Sequence, residues 1–258
     1  MKWKKIKLVA LWSLLLGGCV ALFGFAKHQQ SNSICWKVEV EVQELEGVYF
    51  INEETVQTRI VNMGQPIIGT NMSDIAINEI QDRLQRMPSV SEATVYPSVD
   101  GVLSVKVSQR KPLARIIEAS GESYYIDNAH QMMPLSDSYT AKVPVVVLKS
   151  ELTYRETLEE NGEDQALVND VMSLVNYISA DPFWSAMIEH VVRDDKGDYI
   201  LIPRLGNQEI ILGRTIRMDR KMKKLRAFYN EELNKRNLNQ YKTLNLKYRD
   251  QVIGERYY

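Results

Sequence analysis

The first 26 residues constrain the chain most, because a basic segment is followed by a long uncharged apolar run. Met1–Lys7 carries four lysines, and Leu8–Ala26 then continues for 19 residues without a charge until Lys27. A helix needs about 20 apolar residues to cross a bilayer, and lysines on its N-terminal side keep that end in the cytoplasm. The sequence therefore predicts a cytoplasmic tail over 1–7, a transmembrane helix over 8–26 and an extracytoplasmic remainder.

The apolar run has three interpretations, and its length and flanks favour an uncleaved inner-membrane anchor. A cleavable signal peptide has an apolar core of only about 7–15 residues and a small-residue cleavage site, and no clear A-x-A pattern follows this run. Leu16–Cys19 resembles the lipobox of a lipoprotein signal, but an apolar stretch follows Cys19 in place of a polar tether. The large side chains expected to hold the anchor in lipid are Leu8, Trp12, Leu16, Phe23 and Phe25.

The composition excludes several classes of protein. The chain has 258 residues, 45% of them hydrophobic, which is globular composition and excludes a wholly disordered or multi-span membrane chain. Its two cysteines can supply neither a disulfide framework nor a four-thiolate zinc site. Residues 27–258 hold 28 basic and 33 acidic residues, and this net charge of −5 gives no reason to expect nucleic acid.

A small domain is predicted over 34–111. Its first strand alternates apolar and polar residues over Ile34–Val42, which places Cys35 on the polar side as a lone surface thiol. Two helices follow, with Asn52 and Ser73 as N-caps, and two further strands are joined by a turn at Asp100-Gly101. This order predicts a three-stranded sheet with both helices on one side.

A larger, mostly antiparallel β domain with flanking helices is predicted over 112–258, which makes the whole chain α+β. Pro112 cannot donate to a sheet ladder, so it predicts an edge or a boundary. Apolar residues at helical spacing predict helices over Leu167–Ile178 and Met218–Tyr229, and a last strand is predicted from Thr243 to about Gly254. The earlier strands are predicted at Leu113–Glu118, Ser123–Ile126, Val143–Leu148, Met187–Arg193, Tyr199–Pro203 and Gln208–Leu212.

The sequence contains no recognisable catalytic or metal-binding motif. Its three histidines, His28, His130 and His190, lack a metal-type spacing. Asp194–Asp198 is acidic, but it lacks the alternate acids and the final glutamate of a calcium loop and indicates a hairpin turn. We therefore expect no enzyme activity, no metal, no cofactor and no small-molecule substrate.

A run of basic residues lies within 13 positions of the larger domain, opposed only by Asp219. It has two open interpretations, a solvated helix face or a surface for an acidic protein or an anionic lipid. Nucleic acid is not expected as a ligand because the predicted topology places this run outside the cytoplasm. The basic residues are Arg214, Arg217, Arg220, Lys221, Lys223, Lys224 and Arg226.

The order of these features resembles the FtsQ family of cell-division proteins, also called DivIB. The segments similar to its POTRA domain are Trp36–Val42, Ile51–Ile60, Ser73–Met87, Pro88–Ala93 and Leu103–Pro112. The segments similar to its second domain are Tyr124–Asp127, Met132–Ser136, Leu212–Arg214 and Leu246–Val252. Between the first two of these, His130 stands near a position where that family more often has glycine.

The resemblance implies a non-enzymatic scaffold of the bacterial divisome, anchored in the inner membrane at the division septum with its bulk in the periplasm. Such a protein would recruit an FtsB–FtsL-type subcomplex, could contact the septal cell-wall synthase complex and would help control septal peptidoglycan synthesis. Two other classes stay open. A POTRA-containing assembly factor for outer-membrane proteins is disfavoured because no room for a barrel follows Pro112, and an anchored cell-wall enzyme because a catalytic motif is missing.

The C-terminal segment is the expected partner site. Leu244, Leu246, Tyr248 and Val252 would share one face of an edge strand, with which a partner strand could pair. Tyr248 would anchor the partner, and basic residues would attract its acidic side chains. The alternative is that Tyr248 belongs to the core and that the chain covers its own edge. The predicted contact residues are Arg214, Arg217, Leu246, Lys247, Tyr248, Arg249 and Val252.

Overall fold

The computed structural model describes residues 12, 15–18, 33–45, 47–64, 66–149, 152, 162–235, 238–249 and 251–257. The predicted cytoplasmic tail and the anchor positions Leu8, Phe23 and Phe25 lie outside these residues. Trp12 and Leu16 are described, and their side chains are exposed. Among the described residues, no helix combines the length and the hydropathy that a membrane span requires.

The chain divides into two compact units, with the boundary between Gln109 and Arg110. The first unit contains strands β1 (Lys37–Gln43), β2 (Val90–Pro97) and β3 (Val102–Gln109), helices α1 (Glu53–Val61) and α2 (Ile77–Gln85), and a 3₁₀ turn at Met72–Asp74. The central strand β3 is parallel to β1 and antiparallel to β2. The predicted order of strand, helix, helix, strand and strand is confirmed.

Two side chains fix the start of α1. The Asn52 side chain accepts a hydrogen bond from the Thr55 N–H at 2.8 Å, so it caps the helix as predicted. The buried amide oxygen of Gln109 accepts from the N–H groups of Phe50 and Ile51 at 3.0 and 3.2 Å. Because Gln109 is the last residue of β3, its side chain ties the entry of α1 to the central strand.

Two details of the first unit differ from the prediction. Cys35 is fully buried and Trp36 beside it is exposed, so the predicted surface thiol is wrong. The residues before β1 pair with the loop after α1, where the Cys35 N–H donates to the Thr70 carbonyl and the Gly69 N–H donates to the Cys35 carbonyl. Before β1, the side chains therefore face the opposite way from the predicted alternation, with Cys35 inside and Trp36 outside. Ser73 is not a helix cap, because it lies in the 3₁₀ turn and α2 begins only at Ile77.

The second unit is built on one nine-stranded sheet within the part of the chain that is described. The spatial order is β12-β11-β10-β9-β8-β7-β4-β5-β6, and five of its eight pairings are antiparallel. Pro112 begins the interior strand β4, so it does not mark an edge. The strands are β4 (Pro112–Glu118), β5 (Ser123–Asp127), β6 (Met132–Pro134), β7 (Val145–Leu148), β8 (Ile188–Arg193), β9 (Tyr199–Pro203), β10 (Glu209–Gly213), β11 (Tyr241–Asn245) and β12 (Ile253–Arg256).

The helices of the second unit share one hydrophobic core with its sheet. Asp181 separates the first two of them: it ends one helix, and its carboxylate caps the next by accepting from the N–H groups of Phe183 and Trp184 at 2.9 and 3.4 Å. The helices are α3 (Glu163–Ala180), α4 (Pro182–Met187) and α5 (Met218–Lys235), and a 3₁₀ turn follows at Leu238–Gln240.

The predicted single strand over Thr243–Gly254 is wrong, because the chain forms two strands there. β11 pairs in parallel with β10, and the Leu246 N–H still donates to the Ile211 carbonyl of β10 at 2.9 Å. Residues 247–249 then lie outside any strand, and β12 returns antiparallel to β11. The ammonium group of Lys224 donates to the carbonyls of Tyr248 at 2.6 Å and Gln251 at 3.2 Å. These carbonyls therefore bond to α5 instead of to a neighbouring strand, and the ladder is interrupted.

Candidate partner-binding site

A cavity of about 280 Å³ lies where the start of α5 meets the segment after β11. We call it the basic cavity, because seven of the side chains that line it are arginine or lysine. It brings together six of the seven residues predicted to contact a partner. The seventh, Val252, is half-buried and packs against the hydrophobic core. The lining residues are Asp198, Arg214, Ile216, Arg217, Arg220, Lys221, Lys224, Leu246, Lys247, Tyr248 and Arg249.

The turn before α5 is held in place by Asp170 of α3. Its carboxylate accepts a hydrogen bond from the Thr215 hydroxyl and another, at 2.8 Å, from the Tyr199 hydroxyl. Burial, followed by the bond to Asp170, raises the pKa of Tyr199, so this tyrosine stays a proton donor. Arg217 ends the turn with a φ of 56°, and its carbonyl accepts from the N–H of Lys221 at 3.2 Å. The turn leaves Ile216 70% exposed at the cavity rim.

Asp198, between β8 and β9, joins two walls of the basic cavity. Its carboxylate lies 2.7 Å from the Lys247 ammonium and 3.8 Å from the Arg214 Nε. The hydrogen bond to Asp198 raises the pKa of Lys247. Asp198 is itself positioned by the predicted hairpin turn, because its backbone N–H donates to the Asp194 carboxylate at 2.8 Å. The acidic turn thus serves the cavity as a scaffold.

Two lysines of α5 support the cavity walls through backbone carbonyls. Lys221 donates to the carbonyls of Leu212 at 2.9 Å and Arg214 at 2.7 Å. Burial is the main cause that lowers the pKa of Lys221, and the neighbouring Lys224 and Lys247 act in the same direction. Lys224 holds the segment after β11, as described above. These two lysines fix the shape of the site as well as contribute charge.

The basic residues of the run have different surroundings in the structure and therefore different roles. The Arg226 guanidinium lies 4.6 Å from the centroid of the Phe183 ring and 5.2 Å from that of Trp184, and it pairs with the Asp181 carboxylate at 2.5 Å. This ion pair is the first cause of the lowered pKa of Asp181. Lys223 is exposed and does not line the cavity. Arg226 therefore supports α4, whereas Arg217 and Arg220 face the cavity.

Gly213 allows the segment after β11 to pass close to β10. Its φ is 75°, and a Cβ placed there would lie 2.9 Å from the Cγ of Lys247. The Leu212–Arg214 segment is thus the point where the stem of Lys247 crosses the end of β10. Sequence reasoning found this glycine by resemblance only, because the close approach involves a residue 34 positions away.

The open edge of the sheet differs from the predicted one. β11 has β10 on one side and β12 on the other, so the outermost strand is β12, whose residues are all exposed. The alternative interpretation of the tail is right in that the chain covers the β11 edge itself. It is wrong for Tyr248, which is 51% exposed and not in the core, while Leu246 is fully buried.

Both units match known kinds of domain. Residues 33–108 match a POTRA-like domain, and residues 111–255, more than half of the chain, match the family model described as FtsQ/DivIB, C-terminal related. The chain belongs to the FtsQ/DivIB family. The basic cavity and β12 lie almost entirely inside the FtsQ/DivIB match, and the resemblance seen in the sequence is confirmed.

A curated relative carries the name of cell division protein FtsQ and comes from Salinibacter ruber. It is 34% identical to this chain over 142 residues, which are 54% of the chain and 51% of the relative. The chain thus spans about half the length of that FtsQ protein.

We expect Gly213→Ala to destabilise the protein more than Gly121→Ala. Both glycines have a positive φ, but a Cβ at Gly121 would meet nothing within 4 Å. The control should lose about 1–2 kcal/mol from the backbone conformation alone, and Gly213→Ala should lose more because Lys247 must move. Chemical denaturation measures both, and equal losses would contradict the close approach.

Proposed function

We propose that this chain is a non-enzymatic, single-pass scaffold of the bacterial divisome, and that the basic cavity and β12 hold an FtsB-like partner. Binding would bring an FtsB–FtsL-type subcomplex to the septum and would help control septal peptidoglycan synthesis. The observation that carries the proposal is that six predicted contact residues surround one cavity in an FtsQ/DivIB-type unit.

The charge of the basic cavity supports an acidic partner. Seven basic side chains line it against the single carboxylate of Asp198, and that carboxylate is already shared by Lys247 and Arg214. A positive surface attracts an acidic segment during encounter and fixes its orientation, and it excludes basic competitors. The positive charge of the cavity should therefore act mainly on the rate of association with the partner and on the dependence of that rate on salt.

Two apolar side chains beside these charges support a protein partner over a small anion. Ile216 and Tyr248 both line the cavity and are 70% and 51% exposed. A large aromatic next to arginines is the composition of an interface hot spot. A partner segment that combines acidic residues with one apolar side chain would satisfy both features of the cavity.

The outer edge of β12 supplies a second mode of contact. Within the described residues, β12 pairs on one side with β11 and is the end of the sheet on the other. An exposed edge offers backbone donors and acceptors to a further strand. An extended partner segment could add to the sheet there and place adjoining residues over the basic cavity.

The two rival functions have less support. An outer-membrane assembly factor shares the POTRA-like domain, but the second unit belongs to a cell-division family. The FtsQ/DivIB match of the second unit likewise favours a division scaffold over an anchored cell-wall enzyme.

The charge of the cavity is tested by Arg217→Glu with Lys223→Glu as matched control. Both change one exposed basic residue near the start of α5, but only Arg217 lines the cavity. We expect Arg217→Glu to weaken binding of the FtsB-like protein by roughly tenfold or more, chiefly through the association rate. Surface plasmon resonance with the full chain measures this effect, and equal losses in both variants would count against the cavity.

The aromatic anchor is tested by Tyr248→Ala. Tyr248 is half exposed, and the bond from Lys224 goes to its backbone, so the thermal midpoint should stay unchanged. Removing a hot-spot tyrosine costs about 2 kcal/mol of binding free energy, or roughly a 30-fold loss of affinity. Wild-type affinity in a folded Tyr248→Ala protein would remove this residue from the interface.

The cellular role is tested by depletion of the protein in its native bacterium. We expect filamentous cells without completed septa, because a missing scaffold would prevent recruitment of its partners. Light microscopy of septa, with outer-membrane protein levels as the control measurement, checks this expectation. Normal septa together with a loss of outer-membrane proteins would favour the assembly-factor alternative.

A further inference from the structure

One end of the first unit exposes a group of apolar side chains that its core does not use. Each of them has more than half of its surface exposed. Contiguous exposed apolar surface commonly marks a protein or membrane contact. We call this region the apolar end, and its residues are Ile34, Trp36, Val61, Ile68 and Val99.

Hydrogen bonds hold three segments together at the apolar end. The Trp36 N–H donates to the Gly101 carbonyl at 3.1 Å, and its indole N–H donates to the Asp100 carbonyl at 2.7 Å. These bonds place Trp36 against the turn that carries Val99. The Gly69 N–H donates to the Cys35 carbonyl at 2.7 Å, which brings the loop with Ile68 to the same place.

The helix α1 completes the apolar end. It ends at Val61, and Ile60 and Val61 line a groove of about 720 Å³ together with Trp36, Val38 and Ile68. The exposed side chains therefore come from the start of β1, the end of α1, the loop after α1 and the β2–β3 turn. They form a surface and are not scattered single residues.

The sequence before this surface limits where it can lie. Only seven residues, Lys27–Ser33, separate the apolar run from Ile34. A fully extended chain of that length reaches at most about 25 Å. If Leu8–Ala26 spans the bilayer, the start of β1 must stay within that distance of the membrane surface. The apolar end is the end of the unit at which the chain enters.

We propose that the apolar end inserts into the headgroup–acyl boundary of the bilayer that holds the anchor. Tryptophan with an apolar body and a polar N–H is the side chain most suited to that depth. Charges of both signs lie close to Trp36 in the structure, because the Lys37 ammonium pairs with the Glu39 carboxylate at 2.9 Å and Asp100 belongs to the turn that Trp36 contacts. This mixture fits zwitterionic headgroups. The contact would fix the orientation of the first unit on the membrane. The inference rests on the anchor of the proposed function.

The experiment measures fluorescence quenching of Trp36 by lipid. Full-length protein with Trp3→Phe and Trp12→Phe is reconstituted into vesicles of phosphatidylethanolamine and phosphatidylglycerol in equal parts, with or without a nitroxide-headgroup lipid. Trp184 is buried in the second unit, and its signal is subtracted with a further Trp36→Phe protein. Carbonate extraction of each sample reports whether the anchor is integrated.

A matched probe position lies in the same unit. Glu92 is exposed on β2 and aligns through Ser108 with Gln43, at the opposite end of the sheet from Trp36. The control protein carries Glu92→Trp together with Trp36→Phe. We expect the lipid nitroxide to quench Trp36 roughly twofold more than the probe at position 92, because only the apolar end would reach the interface.

A second variant separates insertion from simple tethering. Val61→Asn with Ile68→Asn changes two side chains that are mostly exposed, so the fold should persist, as circular dichroism will check. Insertion predicts that this pair of substitutions removes most of the excess quenching of Trp36. A tether alone predicts unchanged quenching, and that result would overturn the proposal.

The remaining outcomes are also decisive. Equal quenching at both probe positions in an integrated protein would overturn the insertion and leave the anchor intact. Protein extracted by carbonate would overturn the insertion and the anchor together. A Trp36 shielded from lipid in samples that chemically cross-link as dimers, or only when an added division protein is bound, would assign the apolar end to a second copy or to a protein partner instead.

Discussion

Lys224 donates from α5 to two backbone carbonyls of the segment between β11 and β12, at 2.6 and 3.2 Å. These bonds keep Tyr248 and Gln251 out of the sheet, and Asp198 holds Lys247 of the same segment from the other side of the cavity. The basic cavity exists because the chain is diverted here. A continuous strand would have paired these carbonyls with a neighbour and left β11 as the edge.

The same helix shows why counting charges is a poor guide to a binding surface. Lys221 and Lys224 use their ammonium groups on backbone carbonyls, and Arg226 stacks on two aromatic rings beside Asp181. Fewer basic side chains of the run therefore face outward than the sequence contains, and one of them, Lys223, is exposed to solvent away from the cavity. The solvated-face interpretation applies to Lys223, whereas binding of a partner by the basic residues that line the cavity stays a prediction. The helical period separates these roles, since Met222, Leu225 and Tyr229 mark the buried side.

Local pattern was enough for the order of elements in the first unit, because alternation, the Asn52 cap and the Asp-Gly turn act over a few residues. It was not enough where distant segments decide the conformation. Cys35 is buried because residues 69–70 pair with it, and the tail breaks because of a lysine 24 positions earlier. Six residues that surround the basic cavity were predicted from the family resemblance, from the run of basic residues and from the alternation of the C-terminal segment. The contribution of Asp170 to the turn before α5 has no local signal.

The burial of Cys35 has a consequence for the reactivity of its thiol. The thiol has no accessible surface, and its S–H points to the Lys37 carbonyl at 3.4 Å. An oxidant or an alkylating reagent can reach the sulfur only after the 69–70 pairing opens, so the reaction rate follows the free energy of that local opening. The rate at which this thiol is oxidised or alkylated therefore measures how often the start of β1 detaches from the rest of its unit.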